Sequence, residues 1–347
     1  MPHQYRKLYE EGRRILEAVP IPDAALDARL LLEHVCGTDL KTLLVYPDRE
    51  VEDEQAGAYY ALIERRRLRE PTAMILGEWD FMGLTFKVTK DTLIPEQDTE
   101  VLVETALTLA QFLPFQHGRD QSNSFRDDED FRSDNPVTDS VTESGNSEIQ
   151  KFTSEGIFAG NSAFSLRGLR HNEPISVLDL CTGSGCILLS LLHAWPEAVG
   201  IGTDISDAAL QVAEGNAERL GLQERARFLQ GDLWDALGET GIRPLLFDLI
   251  VSNPPYVPTA VIDTLEPEVR CGEPYAALNG GADGLDFYRR IIAGAGAYLK
   301  DGGMLLLESG FDEAADICAL LRDAGFGDIQ VTKDYGGLDR VVSARWT

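Results

Sequence analysis

The four residues Asn253-Pro254-Pro255-Tyr256 have the chemistry needed to hold one flat amino group for a reaction. They follow the apolar run at 247–252, which predicts a buried strand. Proline has a fixed φ and no N–H, so the two prolines would keep the nearby carbonyls out of the strand ladder. The Asn253 side-chain oxygen and the Pro254 carbonyl could then accept both hydrogens of an –NH2 group, while Tyr256 stacks on its plane. The alternative is a strand followed by an ordinary proline turn.

A glycine-rich turn upstream bears on that choice. Residues 175–180 predict a buried strand, and residues 187–194 predict an apolar helix. Between them lies the sequence Cys181-Thr182-Gly183-Ser184-Gly185-Cys186. Small residues let the backbone approach a ligand closely, and the following helix N-terminus favours negative charge. Such a turn could serve nicotinamide, flavin or S-adenosylmethionine, but the dinucleotide pattern G-x-G-x-x-G is not met.

Three acids fall at the ends of successive predicted strands, and Asn253 falls at the end of the fourth. The acids are Asp179, Asp204 and Asp232. In open α/β folds, ligands bind at the carboxyl edge of the parallel strands, so these side chains are expected to line one site. Asp204 lies where a ribose diol would sit. Each acid alone could be a solvated cap or loop residue, but the ordered set favours a cofactor site.

The chain resembles the release factor glutamine methyltransferases of the PrmC/HemK type, which are class I S-adenosylmethionine enzymes. The resemblance extends from about Tyr5 to Arg340, apart from one insertion. It rests on Thr-Leu-Ile-Pro at 92–95, Asp-Thr-Glu at 98–100, Asp-Leu-Cys-Thr-Gly-Ser-Gly at 179–185, Val-Ser-Asn-Pro-Pro-Tyr at 251–256, Asp-Gly-Leu-Asp-Phe-Tyr-Arg at 283–289 and Asp-Tyr-Gly-Gly-Leu-Asp-Arg at 334–340. The Asn-Pro-Pro-Tyr motif is shared with adenine and cytosine amino-methylating enzymes, so the combination of segments is what points to this family.

The resemblance implies methylation of a glutamine side-chain amide nitrogen in the Gly-Gly-Gln motif of peptide chain release factors, with S-adenosyl-L-methionine as cofactor. It implies that Asp204 holds the ribose hydroxyls and that Asp232 and Leu233 flank the adenine. The methionine end is expected near Asp179 and the turn formed by Cys181, Thr182, Gly183, Ser184 and Gly185. The substrate site is expected at Asn253, Pro254, Pro255 and Tyr256, with Asn253, Pro254 and Tyr256 catalytic and Asn253 also touching the cofactor. No strong base and no metal are expected.

Two positions depart from the family pattern. The family usually has Arg-Pro after the Ile-Pro, where this chain has Glu96-Gln97. A cation is thereby exchanged for an anion near the expected cofactor entrance, so no role of that arginine carries over. The first glycine of the glycine-rich turn is Cys181 here. Cysteine is small, so we expect it to be tolerated, provided that its φ is negative.

Charge and motifs leave three other functions open. The net charge of −27 would repel a polyanion, so a nucleic-acid adenine amino-methyltransferase is disfavoured. A ribosomal-protein glutamine methyltransferase has similar motifs, and a binding module could sense S-adenosylmethionine without turnover.

One basic cluster, at residues 65–69, is predicted to be a solvated helix face near a domain boundary. The alternative is that it binds a release factor or ribosomal RNA.

The predicted fold class is α/β, with a class I methyltransferase (Rossmann-like) sheet of seven mostly parallel strands. Residues 1–76 are predicted to be a helical substrate-recognition bundle, with Asp23 and Asp39 as helix-start residues. Its helices are predicted by the apolar spacing of Leu8, Ile15 and Leu16, of Leu26, Leu30 and Leu31, and of Leu40, Leu43 and Leu44. Residues 77–114 are predicted to form a β-hairpin and a linker helix capped by Asp98 or Thr99. Residues 115–172 are polar and low in complexity, which predicts a disordered insertion. Residues 173–347 are the predicted methyltransferase domain, including a helix at 285–299.

Composition sets the outer limits. The chain has 347 residues and a hydrophobic fraction of 44%, enough for a packed core. No stretch is long and apolar enough to span a membrane, and the first residues lack a signal-peptide core. Five scattered cysteines predict no disulfide framework and a reducing compartment, which favours a cytoplasmic location.

Overall fold

The computed structural model describes residues 3–110, 174–238 and 246–347. The predicted insertion at 115–172 therefore lies outside the described residues. Within the described residues, no helix is long and apolar enough to cross a membrane.

The N-terminal region is a bundle of helices closed by a two-stranded antiparallel ladder. Its elements are β1 (His3–Gln4), α1 (Tyr5–Glu17), α2 (Ala24–Cys36), α3 (Leu40–Val45), β2 (Glu50–Val51), α4 (Asp53–Arg67) and α5 (Thr72–Leu76). Asp39 caps α3 by accepting a hydrogen bond from the Thr42 N–H at 2.7 Å, as predicted. Asp23 occupies the cap position of α2 but makes no side-chain cap bond.

The core of this bundle is only partly the one that the apolar spacing predicts. Leu8, Leu16 and Leu31 are buried in it. Leu40 and Leu44 belong to the same apolar pattern but are exposed, because the short helix α3 buries no residue. Local periodicity thus identifies the helices, whereas burial depends on which helices pack against one another.

Two elements join the bundle to the rest of the chain. The hairpin strands β3 (Glu78–Phe81) and β4 (Leu84–Lys87) pair antiparallel, which confirms the predicted hairpin. The two turn residues, Met82 and Gly83, both have positive φ, as a tight two-residue hairpin turn requires. Helix α6 follows at Gln97–Ala110. The prediction that Asp98 or Thr99 caps it is wrong, because the helix already begins at Gln97 and both residues lie in its first turn.

A seven-stranded sheet forms the centre of the remaining described residues, with strand order β10-β11-β9-β8-β5-β6-β7. Its strands are β5 (Ser176–Leu180), β6 (Val199–Asp204), β7 (Ala226–Gln230), β8 (Phe247–Ser252), β9 (Leu299–Glu308), β10 (Gly327–Lys333) and β11 (Asp339–Arg345). Strands β5 to β9 pair in parallel, and β11 is antiparallel to both of its neighbours. The predicted mostly parallel sheet of seven strands is confirmed.

Helices cover both faces of the sheet and intervene between its strands. They are α7 (Cys186–Ala194), α8 (Asp207–Arg219), α9 (Asp235–Gly238), α10 (Thr259–Ile262), α11 (Pro267–Gly272), α12 (Tyr275–Leu278), α13 (Asp286–Ala295) and α14 (Ala314–Asp323). The predicted helix at 285–299 is shorter in the structure, because Leu299 already begins β9. Successive strand residues point to opposite faces: Val177 packs with α6 and α7, and Leu178 packs with α13 and α14.

The chain order places a crevice beside β5. After β7 the chain returns to the other side of β5 as β8, so the strand order reverses between β5 and β8. In open α/β sheets, ligands bind at such a reversal, outside the carboxyl ends of the strands. The glycine-rich turn and the Asn-Pro-Pro-Tyr segment both begin there.

The basic cluster at 65–69 joins the bundle to the sheet domain. Arg66 is buried and donates to Asp27 at 2.6 Å and to Glu268 of α11 at 2.9 Å. Arg69 pairs with Glu266 at 2.7 Å and also contacts Glu268. The prediction of a solvated helix face is therefore wrong for Arg66 and Arg69. The other two arginines of the cluster are paired with Glu64 and Glu70, so each of the four already has an acidic partner.

Candidate active site

A cavity of about 330 Å³ lies at the carboxyl ends of β5, β6 and β8, where the sequence predicts the cofactor site. Nine of the predicted site residues line it: Cys181, Thr182, Gly183, Ser184, Asp204, Asp232, Leu233, Asn253 and Pro255. The four predicted site residues that do not line it are Asp179, Gly185, Pro254 and Tyr256. The volume is at the lower end of the range for small-molecule sites.

The glycine-rich turn wraps one end of the cavity. The Thr182 N–H donates to the Thr203 carbonyl at 2.9 Å and the Gly185 N–H donates to the Thr182 carbonyl at 2.8 Å. Gly183 and Gly185 have φ values of +54° and +78°, the left-handed region that favours glycine. Gly185 is also the residue before α7, and a Cβ there would lie 3.2 Å from the Ala213 side chain.

Cys181 corrects one expectation from the sequence. Its φ is +61°, not negative, because the backbone must turn sharply directly after β5. Side chains other than glycine are strained in this region. The Cys181 thiol packs against the core on one side and lines the cavity on the other. Burial raises the pKa of this thiol far above its usual range, with Asp204 and Asp179 adding to the effect.

Asp179 lies beneath the turn and supports it. Its side chain is completely buried and accepts a hydrogen bond from the Thr182 hydroxyl at 2.6 Å. Burial raises the pKa of Asp179 to about 7, against the opposing effect of hydrogen bonds from Thr182 and Leu188. Asp179 is therefore placed to fix the shape of the turn rather than to touch a ligand in the cavity.

Asp204 ends β6 and reaches the cavity wall. Its two carboxylate oxygens accept hydrogen bonds from the Gly183 N–H and the Ser206 N–H, each at 2.9 Å. Burial raises the pKa of Asp204, while these backbone hydrogen bonds lower it. The carboxylate is thus held in one orientation, and each oxygen retains capacity to accept a further hydrogen bond.

Asp232 and Leu233 form the opposite wall, just beyond β7. Asp232 is paired with Arg290 of α13 at 2.8 Å, and both residues line the cavity. Leu233 is buried and has a φ of +53°. Sequence reasoning missed Arg290 and the neighbouring Phe287, which also lines the cavity; the only available signal was their place in or next to the Asp-Gly-Leu segment.

The Asn-Pro-Pro-Tyr segment leaves the end of β8, as the sequence predicts. Pro254 is buried, and among the described residues no hydrogen bond reaches its carbonyl. The residues at the end of α12 and just after it hold the loop: the Val257 N–H donates to the Leu278 carbonyl, and the Gly280 N–H donates to the Val257 carbonyl, each at 2.9 Å. A Cβ on Gly280 would lie 2.7 Å from the Tyr256 backbone, so only glycine fits there.

Tyr256 does not line the cavity. Burial raises the pKa of its hydroxyl far above the usual range; the charges of Glu308 and Glu96 add to this effect, and that of Arg340 opposes it. Its ring lies beside Gly310, just after β9: a Cβ there would be 3.6 Å from Tyr256 Cδ2. Asn253, three residues earlier, does line the cavity, so the segment passes from the cavity wall at Asn253 to a position outside it at Tyr256.

The segment before α6 forms the remaining wall. Thr92, Leu93, Pro95 and Thr99 line the cavity, although the sequence marks them only as part of a family resemblance. Glu96, at the position that departs from the family pattern, does not line it. Glu96 is exposed at the surface; partial desolvation and the charge of Asp98 raise its pKa, and its charge in turn raises the pKa of Tyr256.

The fold and the cavity define this chain as a class I S-adenosylmethionine-dependent methyltransferase. A family model described as a methyltransferase domain matches residues 171–326, and one described as the PrmC N-terminal domain matches residues 7–77.

The chain is also similar over nearly its whole length to proteins named release factor glutamine methyltransferase. The relative from Agrobacterium fabrum is 35% identical over 96% of this chain and 94% of its own length. The relative from Geobacter sulfurreducens is 35% identical over 98% of this chain and 96% of its own. The relative from Rhodospirillum rubrum is 37% identical over 98% of this chain and 84% of its own. The chain belongs to the release factor glutamine methyltransferase family.

Proposed function

We propose that this enzyme transfers a methyl group from S-adenosyl-L-methionine to the side-chain amide nitrogen of the glutamine in the Gly-Gly-Gln motif of peptide chain release factors. The observation that carries the proposal is the position of Asn253 in the wall of the cavity, with its amide nitrogen hydrogen-bonded to Thr99 at 3.3 Å. In the proposed complex, this amide meets the cofactor on one side and the planar substrate group on the other.

The cavity residues fit the cofactor. Asp204 is the acceptor for the ribose hydroxyls, and Asp232 and Leu233 flank the adenine. The turn at 181–185 accommodates the methionine end, supported from beneath by Asp179. When bound, S-adenosylmethionine supplies a methyl group already activated by its sulfonium. What remains for the protein is placement and electrostatics.

Asn253 and the Pro254 carbonyl orient the substrate nitrogen. An amide nitrogen is a poor nucleophile because its lone pair is conjugated with its carbonyl. Two acceptors, the Asn253 Oδ1 and the Pro254 carbonyl, would bind both N–H groups and increase the electron density on the nitrogen. Tyr256 packs against the plane of the amide, and Pro255 completes the wall. No residue acts as a strong base, because the methylated amide becomes acidic enough to release its proton to water or a carbonyl.

We also propose that the N-terminal bundle, residues 1–76, recognises the substrate protein. In support, Arg66 and Arg69 of this bundle are ion-paired with Glu266 and Glu268, which lie in or beside α11, a short distance along the chain from Tyr256. A substrate held by the bundle would thus be held at a fixed position relative to the active-site loop. We place the enzyme in the cytoplasm, where release factors act.

One labelling experiment tests the proposed reaction. The protein is incubated with methyl-labelled S-adenosylmethionine and, separately, with unmethylated release factor, ribosomes or DNA. Label is expected in the release factor and is expected to disappear when the Gly-Gly-Gln glutamine of the release factor is replaced by alanine. The Asn253→Ala variant serves as the control for methylation by contaminating enzymes. Label in ribosomal protein or in DNA, with none in release factor, would overturn the proposal.

A further inference from the structure

We infer that Thr99 is a positioning residue for methyl transfer: its hydroxyl accepts a hydrogen bond from the Asn253 amide nitrogen and thereby sets which end of that amide faces the substrate. The inference rests on the proposed function, because it concerns the same amide. It assigns a task to a residue in the first turn of α6 that otherwise has none in the reaction.

An asparagine amide has two nearly equivalent orientations. Its oxygen accepts hydrogen bonds and its nitrogen donates them. Only the oxygen can accept from a substrate –NH2 group; a nitrogen facing the substrate would meet donor with donor. Asn253 therefore needs a partner in the protein that distinguishes its oxygen from its nitrogen. The distance between the Asn253 amide and the substrate would be the same in either orientation.

The Thr99 hydroxyl is this partner. Asn253 Nδ2 donates to Thr99 Oγ1 at 3.3 Å, which directs Oδ1 of Asn253 away from Thr99. Thr99 is nearly completely buried, with 2% of its surface exposed, so water does not compete for the hydroxyl. Its backbone is fixed by the helix, since the Thr99 N–H donates to the Glu96 carbonyl at 3.1 Å.

A hydroxyl that accepts from Asn253 must direct its own hydrogen elsewhere. The carboxyl of Glu308 lies near it: burial raises the pKa of Glu308, and the Thr99 side chain acts in the opposite direction. Glu308 is 1% exposed, and its Oε2 atom has no hydrogen-bond partner. The hydrogen of the Thr99 hydroxyl can therefore turn away from Asn253, so that the oxygen accepts from Asn253 Nδ2.

The elements that carry Asn253, Thr99 and Glu308 come from distant parts of the sequence. Asn253 follows β8, Thr99 lies in α6, and Glu308 ends β9 next to β8. Arg340 of β11 fixes the start of α6 by pairing with Asp98 at 2.9 Å. The position of α6 against the sheet edge thus sets the orientation of the catalytic amide.

The test compares Thr99→Val, which removes the hydroxyl but keeps the shape, with Thr99→Ser, which keeps the hydroxyl. Single-turnover methyl transfer to release factor is measured together with the dissociation constant of S-adenosylmethionine. Thr99→Val is expected to slow transfer about 10- to 100-fold, the range for small misplacement of a reacting group. Its affinity for the cofactor should change less than about threefold, and Thr99→Ser should recover most of the rate.

A double variant separates positioning from a general structural effect. If Thr99 acts through Asn253, adding Thr99→Val to Asn253→Ala should slow transfer no further than Asn253→Ala alone, because residues that act as a unit are not additive. A further loss equal to that of Thr99→Val in the wild-type background would overturn the inference, as would an unchanged rate in the single variant. A wild-type enzyme without activity on release factor would instead refute the proposed function.

Discussion

Replacing Cys181 by glycine should stabilise the protein relative to replacing it by alanine. Cys181 has a φ of +61° at the first position of the glycine-rich turn. A residue with a Cβ costs about 1–2 kcal/mol in this conformation. Glycine loses about 0.5–1 kcal/mol more conformational freedom than alanine on folding. The difference predicts that Cys181→Gly exceeds Cys181→Ala in unfolding free energy by about 0.5–1 kcal/mol.

The comparison of these two variants isolates backbone strain, because both remove the thiol and its contacts with the core. Unfolding by urea is the assay, followed by two spectroscopic probes so that two-state behaviour is checked. The cofactor is left out of the samples, since ligand binding would add its own stabilisation. If the two variants are also unfolded by heat, their melting temperatures should differ by about 1–4 °C. Equal stability of the two variants would refute the idea that the turn strains Cys181.

Three further variants probe the site and its supports. Asn253→Ala should slow single-turnover methyl transfer by about 10²–10³-fold, the usual effect of losing one preorganised polar contact, with a smaller change in cofactor affinity; an unchanged rate would remove Asn253 from the mechanism. Asp27→Ala should lower the unfolding free energy by about 3 kcal/mol, since it breaks a buried ion pair with Arg66. A loss of less than about 1 kcal/mol, measured by unfolding in urea, would contradict this prediction. Burial raises the pKa of Glu308 to about 8. The folded state therefore holds a proton on Glu308 that the unfolded chain has lost, and the unfolding free energy falls as pH rises from about 5 to 8. When unfolding free energies are measured in urea at pH 5.5 and pH 8, the fall should be smaller in Glu308→Gln than in the wild type; an equal fall would contradict the prediction.

Much of the site was predictable because its parts are local in sequence. The strand that ends in Asn253, the turn at 181–185 and the acid after β6 each combine an apolar run with a break, which predicts a strand end and a loop. Successive parallel strands bring such ends to one edge of the sheet. The cavity found there contains Asp204, Asp232 and Asn253, in agreement with the prediction.

Other predictions failed where contacts between distant residues decide the outcome. The cluster at 65–69 has the composition of a solvated helix face, yet Arg66 is buried against Glu268, about 200 residues away in the chain. The sign of the Cys181 φ depends on how sharply the chain leaves β5.

The sequence alone determined the chemistry of this protein: a planar amide binding segment, a cofactor turn, and acids at the strand ends that connect the two. Those features are encoded in short stretches, where residue type fixes backbone conformation directly. Only the tertiary structure decided how the amide is oriented. Asn253 and Thr99, which are joined by a hydrogen bond, are 154 residues apart in the sequence. They meet because α6 packs against the sheet beside β9, and a packing contact of that kind leaves no periodic signal in the sequence.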